Sequence, residues 1–340
     1  MRKLLNVLYV TTPESYLSKD GMNVVVSLKQ EEKFRIPIIN IEGIVTFGYM
    51  GISPGLMKLC FEYNVSVTFL SPSGSFISRI QGGTKGNVLL RKLQYKYSED
   101  SAFSLQISKL FIGAKIQNSR SVLCRFMRDY GKNEFLENSA SILAIRKNET
   151  INISSSDELR GIEGDAASVY FNAFPRLILN KESSFSFHGR NRRPPKDPIN
   201  ALLSLSYTLI ANDVAAALET IGLDPYVGFF HTLRPGRTSL ALDLMEEMRA
   251  YLGDRFVLSL INRKQLSSKD FLWQGEESVI LTDNGRRIFI TAWQNRKKEK
   301  IQHPYLREDI PIGLLPYVQA MLLARYIRND LDNYPAFIFH

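Results

Sequence analysis

Short apolar runs rich in β-branched residues dominate the first part of the chain. They include LLNVLYV, MNVVVSL, FRIPIINIEGIVTF, VSVTFLS and FISRIQ, separated by turn-forming segments such as SPSGS and QGGTKGN. Runs of this kind, bounded by Gly, Pro and Ser, are typical of strands joined by short turns. The stretch GISPGLMKLCFEYN instead has helical spacing and predicts one short helix. Residues 1–96 are therefore predicted to form a small, mostly β N-terminal domain.

The hydrophobic period changes from about residue 101 onward. Four apolar side chains then have the spacing of one helix face: Ile107, Leu110, Phe111 and Ala114. Further helical patterns cover 117–130, 157–180, 198–222, 238–252 and 311–330. Two polar, basic stretches, 180–198 and 283–304, are predicted to connect these helices. Residues 97–340 are thus predicted to form a larger, mostly α-helical domain, which makes the fold class α+β.

One helical stripe carries a carboxylate among apolar side chains. In GIEGDAASVYFNAF, helical spacing aligns six side chains: Glu163, Ala166, Ala167, Tyr170, Phe171 and Phe174. Burying an unpaired carboxylate costs several kcal/mol, so an inward-facing Glu163 requires a cation, a proton or hydrogen-bond donors. The ordinary alternative is an exposed carboxylate that interacts favourably with the N-terminus of the helix dipole. The stripe favours the inward orientation and makes Glu163 a candidate for metal binding or catalysis.

A second candidate region is LDPYVGFFHTLRPGRTSLALDLMEEMRAYL, residues 223–252. His231 ends an apolar run and precedes a Pro-Gly turn, so it is predicted to lie where a buried segment reaches a cleft. In the helix that follows, Asp243 and Glu246 are neighbours, and Glu247 lies one turn after Asp243. Taken singly, such a histidine is more often structural and such acids are more often solvated. Together with Glu163, they supply one nitrogen and several oxygen ligands.

The charge balance of the chain points to an anionic partner. Its 340 residues include 43 Lys and Arg against 34 Asp and Glu, a net charge of +9. This surplus favours polyanions, of which nucleic acid is the commonest, with an anionic membrane surface as the alternative. No uninterrupted apolar stretch approaches the length of about 18 to 20 residues that spans a membrane. A DNA or RNA partner is therefore expected, and no membrane partner.

The cysteines and the first residues of the chain indicate in which cellular compartment the protein is expected. Cys60 and Cys124 lie in apolar surroundings, without the spacing of a zinc site or of a disulfide framework. The basic, apolar start of the chain has no small-residue cleavage site after it, so residues 4–10 are predicted to form a first strand and not a signal peptide. These features predict a cytoplasmic protein.

The candidate acids lie within basic surroundings, with Arg234 and Arg237 between the histidine and the acidic helix. Carboxylates clustered on a positive surface would repel a phosphate backbone unless a divalent cation lay between them. The mixed nitrogen and oxygen ligands suit Mg²⁺ or Mn²⁺. Such an ion can polarise a phosphodiester and neutralise charge in the transition state. The sequence therefore predicts a metal site that acts on nucleic acid.

Three ordered blocks of the sequence are similar to the signature blocks of a known family. GIEGDAASVYF, NRRPPKDPINALLSLSY and GFFHTLRPGRTSLALDLMEEMR resemble those of the CRISPR-associated adaptation integrases, the metal-dependent DNA endonucleases called Cas one. The N-terminal IEGIVTFG, SPSGSFISRIQG and GNVLLRKLQY resemble its β domain. The resemblance implies an N-terminal β domain for dimerisation and DNA contact, and a C-terminal α-helical catalytic domain. It places the metal triad on Glu163, His231 and Glu246.

The resemblance does not decide the role of every acid on the helix that follows His231. Asp243 matches an additional acid one turn before the last ligand, and Glu247 adjoins Glu246. Because the third ligand is often Asp in the family, the choice between Glu246 and Glu247 stays undecided at this point. The implied cofactor is Mg²⁺ or Mn²⁺.

The activity implied is the joining of short DNA fragments to a CRISPR repeat. The 3′-hydroxyl of the fragment attacks a phosphodiester of the repeat, and no protein nucleophile is required. Implied partners are DNA, a second copy of the chain, the small ferredoxin-like subunit Cas two and the nuclease Cas four. Two alternatives stay open: a metal-dependent nuclease that cuts branched DNA without integration, and a non-catalytic DNA-binding scaffold.

Basic side chains outside the acidic set are predicted to contact DNA phosphates. They are Arg190, Arg192, Arg193, Lys196, Arg234, Arg237, Arg286, Arg287, Lys297 and Lys298. For any one of them, a solvated surface position is the equally weighted alternative.

Overall fold

A computed structural model describes residues 6–48, 50–72, 74–80, 88–191, 194–275 and 278–339. Within these residues, its N-terminal part contains eight strands, one α-helix and a short 3-10 helix, Ile38–Asn40. The strands are β1 (Val7–Val10), β2 (Ser15–Asp20), β3 (Asn23–Leu28), β4 (Glu31–Pro37), β5 (Gly43–Phe47), β6 (Gly51–Ile52), β7 (Ser66–Leu70) and β8 (Phe76–Ile80). The predicted short helix is confirmed as α1 (Pro54–Tyr63), which is capped by the Ser53 side chain and ends at Asn64 in the left-handed conformation. Of the predicted first strand, residues 4 and 5 lie outside the described residues.

The strands form two four-stranded sheets. One has the order β4-β3-β2-β6, and the other has the order β1-β5-β7-β8, in which β1, β5 and β7 are parallel. A small core that includes Leu17, Ile44 and Leu56 joins the first sheet, the second sheet and α1. Phe47 and Leu70 of the second sheet belong to the main core of the protein, which lies among the helices. This second sheet therefore connects the β region to the helical region.

The C-terminal part is mostly helical, so the predicted α+β fold is confirmed. Its helices are α2 (Val88–Glu99), α3 (Ser101–Tyr130), α4 (Glu134–Asn152), α5 (Ser156–Ala173), α6 (Pro198–Ile221), α7 (Ser239–Met248), α8 (Arg255–Asn262), α9 (Asp283–Lys298) and α10 (Leu315–Ile327). A π-helical segment, Arg249–Asp254, joins α7 to α8. Two hairpins complete the fold: β9 (Phe271–Gln274) with β10 (Ser278–Leu281), and β11 (Lys300–Gln302) with β12 (Asp309–Pro311).

The structure contains helices that the sequence pattern did not predict. Helices α2, α4 and α8 were not predicted, and the prediction that 283–304 is a connection was wrong, since α9 occupies most of it. Phe289 and Trp293 form a buried stripe four residues apart on α9, and charged side chains hide this stripe in the sequence. Helix α2 runs across residue 96, so the division of the chain at that residue stays a prediction.

Helix α6 is the longest apolar helix of the core. By length and composition it could cross a membrane, but 67% of its apolar window is buried against the rest of the protein, as in the core helix of a globular fold. It packs against α7 and α10, while α3 packs against α4, α5 and α7. The three helices α3, α5 and α7 meet on the side of the core where the candidate site residues lie.

Candidate functional site

Asp243, on the first turns of α7, fixes the segment that carries His231. Its Oδ2 accepts hydrogen bonds from the backbone N–H groups of Phe229 (2.6 Å) and Phe230 (3.0 Å), and its Oδ1 accepts one from the N–H of His231 (2.9 Å). Gly228 makes this close approach possible. A Cβ at that position would lie 2.6 Å from Asp243 Oδ2 and 2.8 Å from the backbone of Ser239. A buried carboxylate thus anchors the loop through three backbone donors.

The same carboxylate orients the His231 ring. His231 Nδ1 lies 2.6 Å from Asp243 Oδ1. Because the Asp243 oxygens already accept from backbone donors, the ring nitrogen is the donor in this pair, which leaves the lone pair on Nε2. Carboxylates commonly orient metal-binding histidines in this way. Asp243 is therefore placed as a positioning residue, and its two oxygens are engaged by the His231 segment.

Glu163 and Glu246 converge on one ammonium group. Lys115, on α3, donates hydrogen bonds to Glu163 Oε1 on α5 and to Glu246 Oε2 on α7, the latter at 2.8 Å. The side chain of Glu163 is 26% exposed and that of Glu246 is 5% exposed. Glu163 thus lies partly buried beside a cation, as the apolar stripe of its helix suggested.

Arg249, on the π-helical segment, binds Glu246 from the other side. Its Nη1 lies 2.7 and 3.0 Å from the two carboxylate oxygens, and its guanidinium stacks 4.3 Å from the centre of the Tyr207 ring. Burial acts to raise the pKa of Glu246. The charges of Arg249 and Lys115 outweigh burial and hold this pKa well below its ordinary value. Glu246 is therefore ionised at neutral pH, and His231 is near it.

The donor set fits a cation. Two carboxylate oxygens from separate helices point at one positive charge, and the oriented imidazole of His231 is near one of the two acids, Glu246. Such ligands suit Mg²⁺ or Mn²⁺. The position between Glu163 and Glu246 is taken by the Lys115 ammonium group. In the part of the chain that the structure describes, no three His, Cys, Asp or Glu side chains are grouped closely enough to hold a metal ion. A divalent ion shared by Glu163 and Glu246 would take the place of the ammonium group.

Comparison with known proteins gives the family. The family model described as CRISPR associated protein Cas1 matches residues 8–295. The chain is 46% identical to CRISPR-associated endonuclease Cas1 1 of Chlorobaculum tepidum over 100% of both chains. It is also 46% identical to CRISPR-associated endonuclease Cas1 2 of Rhodospirillum rubrum, over 98% of both. This chain belongs to the Cas1 family.

Further matches agree with this assignment. A Cas4/Cas1 fusion of Geobacter sulfurreducens, named as exonuclease and endonuclease, is 34% identical over 97% of this chain and 60% of the fusion. Among solved structures, a casposase bound to integration product superposes with a TM-score of 0.84 at 24% identity, covering 98% of this chain and 94% of that chain. A Cas6-RT-Cas1–Cas2 complex gives a TM-score of 0.84 at 22% identity, covering 99% and 36%. These two structures share the fold.

Glu247 lies on a different side of α7 from Glu246. Its carboxylate accepts hydrogen bonds from Tyr334 Oη (2.6 Å), Gln319 Nε2 (2.9 Å) and the Phe337 N–H (2.8 Å). Burial raises its pKa to about 7, against the opposing effect of these donors. This placement corrects the inclusion of Glu247 among the additional acids of the site, because its oxygens hold the C-terminal segment. Of the two adjacent acids, Glu246 is the one that lies at the cation position.

The basic residues predicted to contact DNA fall into different environments. Exposed positions are Lys196, Arg234, Arg287 and Lys298. Arg237 and Arg190 are half-buried, and Arg190 donates to Asn200 Oδ1 (2.7 Å) and to Ser204 Oγ (3.1 Å). Arg192 and Arg193 lie outside the described residues.

Two of these predicted DNA contacts need correction. Lys297 is buried, and its ammonium group lies 2.7 Å from Asp213 Oδ2. Arg286 is also buried, with Nη1 3.1 Å from Asp283 Oδ1. Both side chains lie on the inward part of α9. They belong to the interior of the fold and do not form part of an exposed phosphate-binding surface.

Two site residues were missed in the sequence, Lys115 and Arg249. Lys115 lies four residues after Phe111 and eight after Ile107, on the same apolar face of α3. A lysine on an apolar face requires a counter-charge, just as a glutamate does. The signal that identified Glu163 was therefore also present at Lys115. Arg249 is one turn after Glu246 and carries the ordinary signal of an i,i+3 ion pair.

Proposed function

We propose that this chain is the metal-dependent endonuclease and integrase of CRISPR spacer acquisition. It joins the 3′-hydroxyl of short DNA fragments to a phosphodiester of the CRISPR repeat. Membership of the Cas1 family, with relatives named endonucleases at 46% identity, supports this function. The observation that carries it is the convergence of Glu163 and Glu246 on one cation, with His231, oriented by Asp243, near Glu246.

In this proposal, Glu163, Glu246 and the Nε2 atom of His231 are the ligands of Mg²⁺ or Mn²⁺. When bound, the ion polarises the phosphodiester and stabilises negative charge that develops in the transition state. Asp243 holds the imidazole in the required orientation, and Arg249 holds Glu246 ionised and in place. The 3′-hydroxyl of DNA is the nucleophile, so the protein contributes positioning and electrostatic stabilisation.

The proposed partners follow from the family. We expect DNA, a second copy of this chain, Cas2 and Cas4, in the cytoplasm. The Cas1 component of the similar Cas6-RT-Cas1–Cas2 complex assembles with Cas2, and the Geobacter sulfurreducens relative is fused to Cas4. We assign dimerisation and DNA contact to residues 1–96 and catalysis to residues 97–340. The net charge of +9 and the exposed basic side chains support binding to a polyanion.

The test is a strand-joining assay with purified protein, Mn²⁺ or Mg²⁺, short duplexes with free 3′ ends and a supercoiled plasmid that carries a repeat. The wild-type protein should form joined products. Glu163→Gln should lower their yield about 100-fold or more, since it removes a ligand charge that stabilises the transition state, and should leave DNA binding intact. Asp165→Asn, two positions further on the same helix with a 47% exposed side chain, is the matched control and should join DNA like the wild type.

Two outcomes would contradict the proposal. Cleavage of branched DNA without any joined product would favour the nuclease that does not integrate. Binding of DNA by the wild-type protein with neither cleavage nor joining would favour the non-catalytic scaffold, in which Glu163 is structural.

A further inference from the structure

Lys115 holds the position between the two acids that the proposed function assigns to a metal ion. We infer that its ammonium group is a built-in cation, which keeps Glu163 and Glu246 together until a divalent ion displaces it. This inference rests on the proposed function. Its structural basis is one ammonium group, on a side chain 14% exposed, in contact with carboxylates from two different helices.

The two cations exclude each other for electrostatic reasons. Glu246 Oε2 lies 2.8 Å from Lys115 Nζ, and Glu163 Oε1 is bonded to the same nitrogen. A divalent ion bound to these oxygens would be within a few ångströms of an ammonium group that stayed in place, and at this separation like charges repel strongly in a partly buried site. Binding of the ion therefore requires the ammonium group to leave.

Lys115, and not Arg249, is the cation that is free to leave. A lysine ammonium group is a point charge on a flexible four-carbon stem, whereas guanidinium is planar and binds in a fixed orientation. Arg249 contacts both oxygens of Glu246 and stacks on Tyr207. It therefore keeps Glu246 in position while Lys115 exchanges with the metal.

This exchange has two consequences for the protein. Without metal, Lys115 relieves the repulsion between Glu163 and Glu246, so the acids stay close together. With metal, the ion must compete with an intramolecular cation, which raises the metal concentration that half-fills the site. Lys115 thus sets the concentration of divalent ion at which the site is half-filled.

The first test measures Mn²⁺ affinity of the full-length protein from the electron paramagnetic resonance signal of free Mn²⁺. We expect Lys115→Met to bind Mn²⁺ at least tenfold more tightly than the wild type, because the competing cation is gone. Lys109→Met, on the same helix, removes a lysine that donates to the Ile151 carbonyl, and it should bind Mn²⁺ like the wild type. Equal or weaker binding by Lys115→Met would overturn the inference while leaving the proposed metal site intact. If neither protein binds Mn²⁺, both the inference and the proposed function fail.

A second test needs no variant and so does not depend on how a substitution folds. Reductive methylation of the wild-type protein, followed by mass spectrometry, reports how accessible each lysine amine is. At an Mn²⁺ concentration that saturates the protein, labelling of Lys115 should rise at least threefold, because its amine leaves the carboxylates. Labelling of Lys109 should not change. A Lys115 amine whose labelling is unaffected by saturating Mn²⁺ would show that the two cations do not exchange.

Discussion

Glu246 and Glu247 are adjacent on α7 and both are buried, yet their surroundings are opposite. Glu246 meets Lys115 and Arg249, and these charges hold its pKa well below the ordinary value. Glu247 meets uncharged donors from the C-terminal segment, and burial raises its pKa to about 7. The kind of partner, and not burial alone, therefore decides whether a buried acid is ionised. Glu246 is positioned to contact cations, whereas Glu247 holds the C-terminal segment in place.

Helix α3 contacts both Glu246 and Glu247, through two different side chains. Lys115 contacts Glu246, whereas Asn118, three residues further on, donates to the backbone carbonyls of Glu247 (2.6 Å) and Phe337 (2.8 Å). The Asn118 side-chain oxygen also accepts from the Phe339 N–H at 3.1 Å. The C-terminal segment is therefore fastened to the same two helices that carry the candidate site. Variants of either acid test whether the two functions are separate.

The largest difference is expected in strand joining. Glu246→Gln should lower the rate of product formation by about 10² to 10³-fold, because it removes an ionised group from the proposed metal site. Glu247→Gln keeps the shape of the side chain and a carbonyl oxygen that accepts hydrogen bonds, so it should retain near wild-type activity. Both rates would be measured with the same duplex and repeat plasmid. An equal loss in the two variants would break the assignment of separate roles.

The pH dependence of stability should show the next largest effect. The pKa of Glu247 is raised from 4.5 to about 7 in the folded protein. Its neutral form therefore contributes stability that is fully present below pH 4.5 and is lost as the pH rises through about 7, by at most about 3 kcal/mol. Gln cannot ionise, so Glu247→Gln should be increasingly more stable relative to the wild type between pH 5 and pH 8.

Urea unfolding midpoints of the two proteins, measured at several pH values, check this expectation. Taking the difference between the proteins cancels the titration of the other groups. A difference that is independent of pH would mean that Glu247 is already ionised in the folded state at pH 5.

The sequence identifies those parts of the fold that depend on local pattern. Short runs rich in β-branched residues predict the N-terminal strands, and the apolar stripe around Glu163 predicts an inward-facing carboxylate that needs a cation, a proton or hydrogen-bond donors. Helix α9 was missed because its apolar stripe is narrow and its flanks are densely charged. Local pattern cannot show which face of such a segment will be covered by the rest of the chain.

The contact of Lys115 with the two acids depends on tertiary packing and could not be predicted from spacing. Lys115 is 48 residues before Glu163, and their contact exists only because α3, α5 and α7 meet. Tertiary packing likewise decides which of Glu246 and Glu247 faces the site, since both lie on one helix turn and both become buried. Lys115 contacts Glu246, whereas the C-terminal segment supplies Tyr334 and the Phe337 N–H to Glu247.

A smaller effect is expected from Asp243, which orients a ligand without lying between the two acids. Asp243→Asn replaces one oxygen acceptor by an amide donor, so the hydrogen bonds to His231 and to the Phe229 and Phe230 N–H groups cannot all be kept. Loss of such an orienting carboxylate typically lowers metal affinity by about 10 to 100-fold. The Mn²⁺ resonance titration measures this loss. Unchanged affinity in a folded variant would separate His231 from the metal site.

The smallest expected effect concerns a second pair of adjacent residues with opposite surroundings, Lys297 and Lys298. Lys298 is exposed, whereas Lys297 is buried against Asp213. If Lys298 contacts a DNA phosphate, Lys298→Ala should weaken binding modestly and reduce the slope of log affinity against log salt concentration by about 1. Lys297→Met should leave that slope unchanged, because its charge already has a protein partner. A reduced slope for Lys297→Met would mean that this lysine leaves Asp213 to bind DNA, and that burial in the free protein does not decide which cations reach the phosphates.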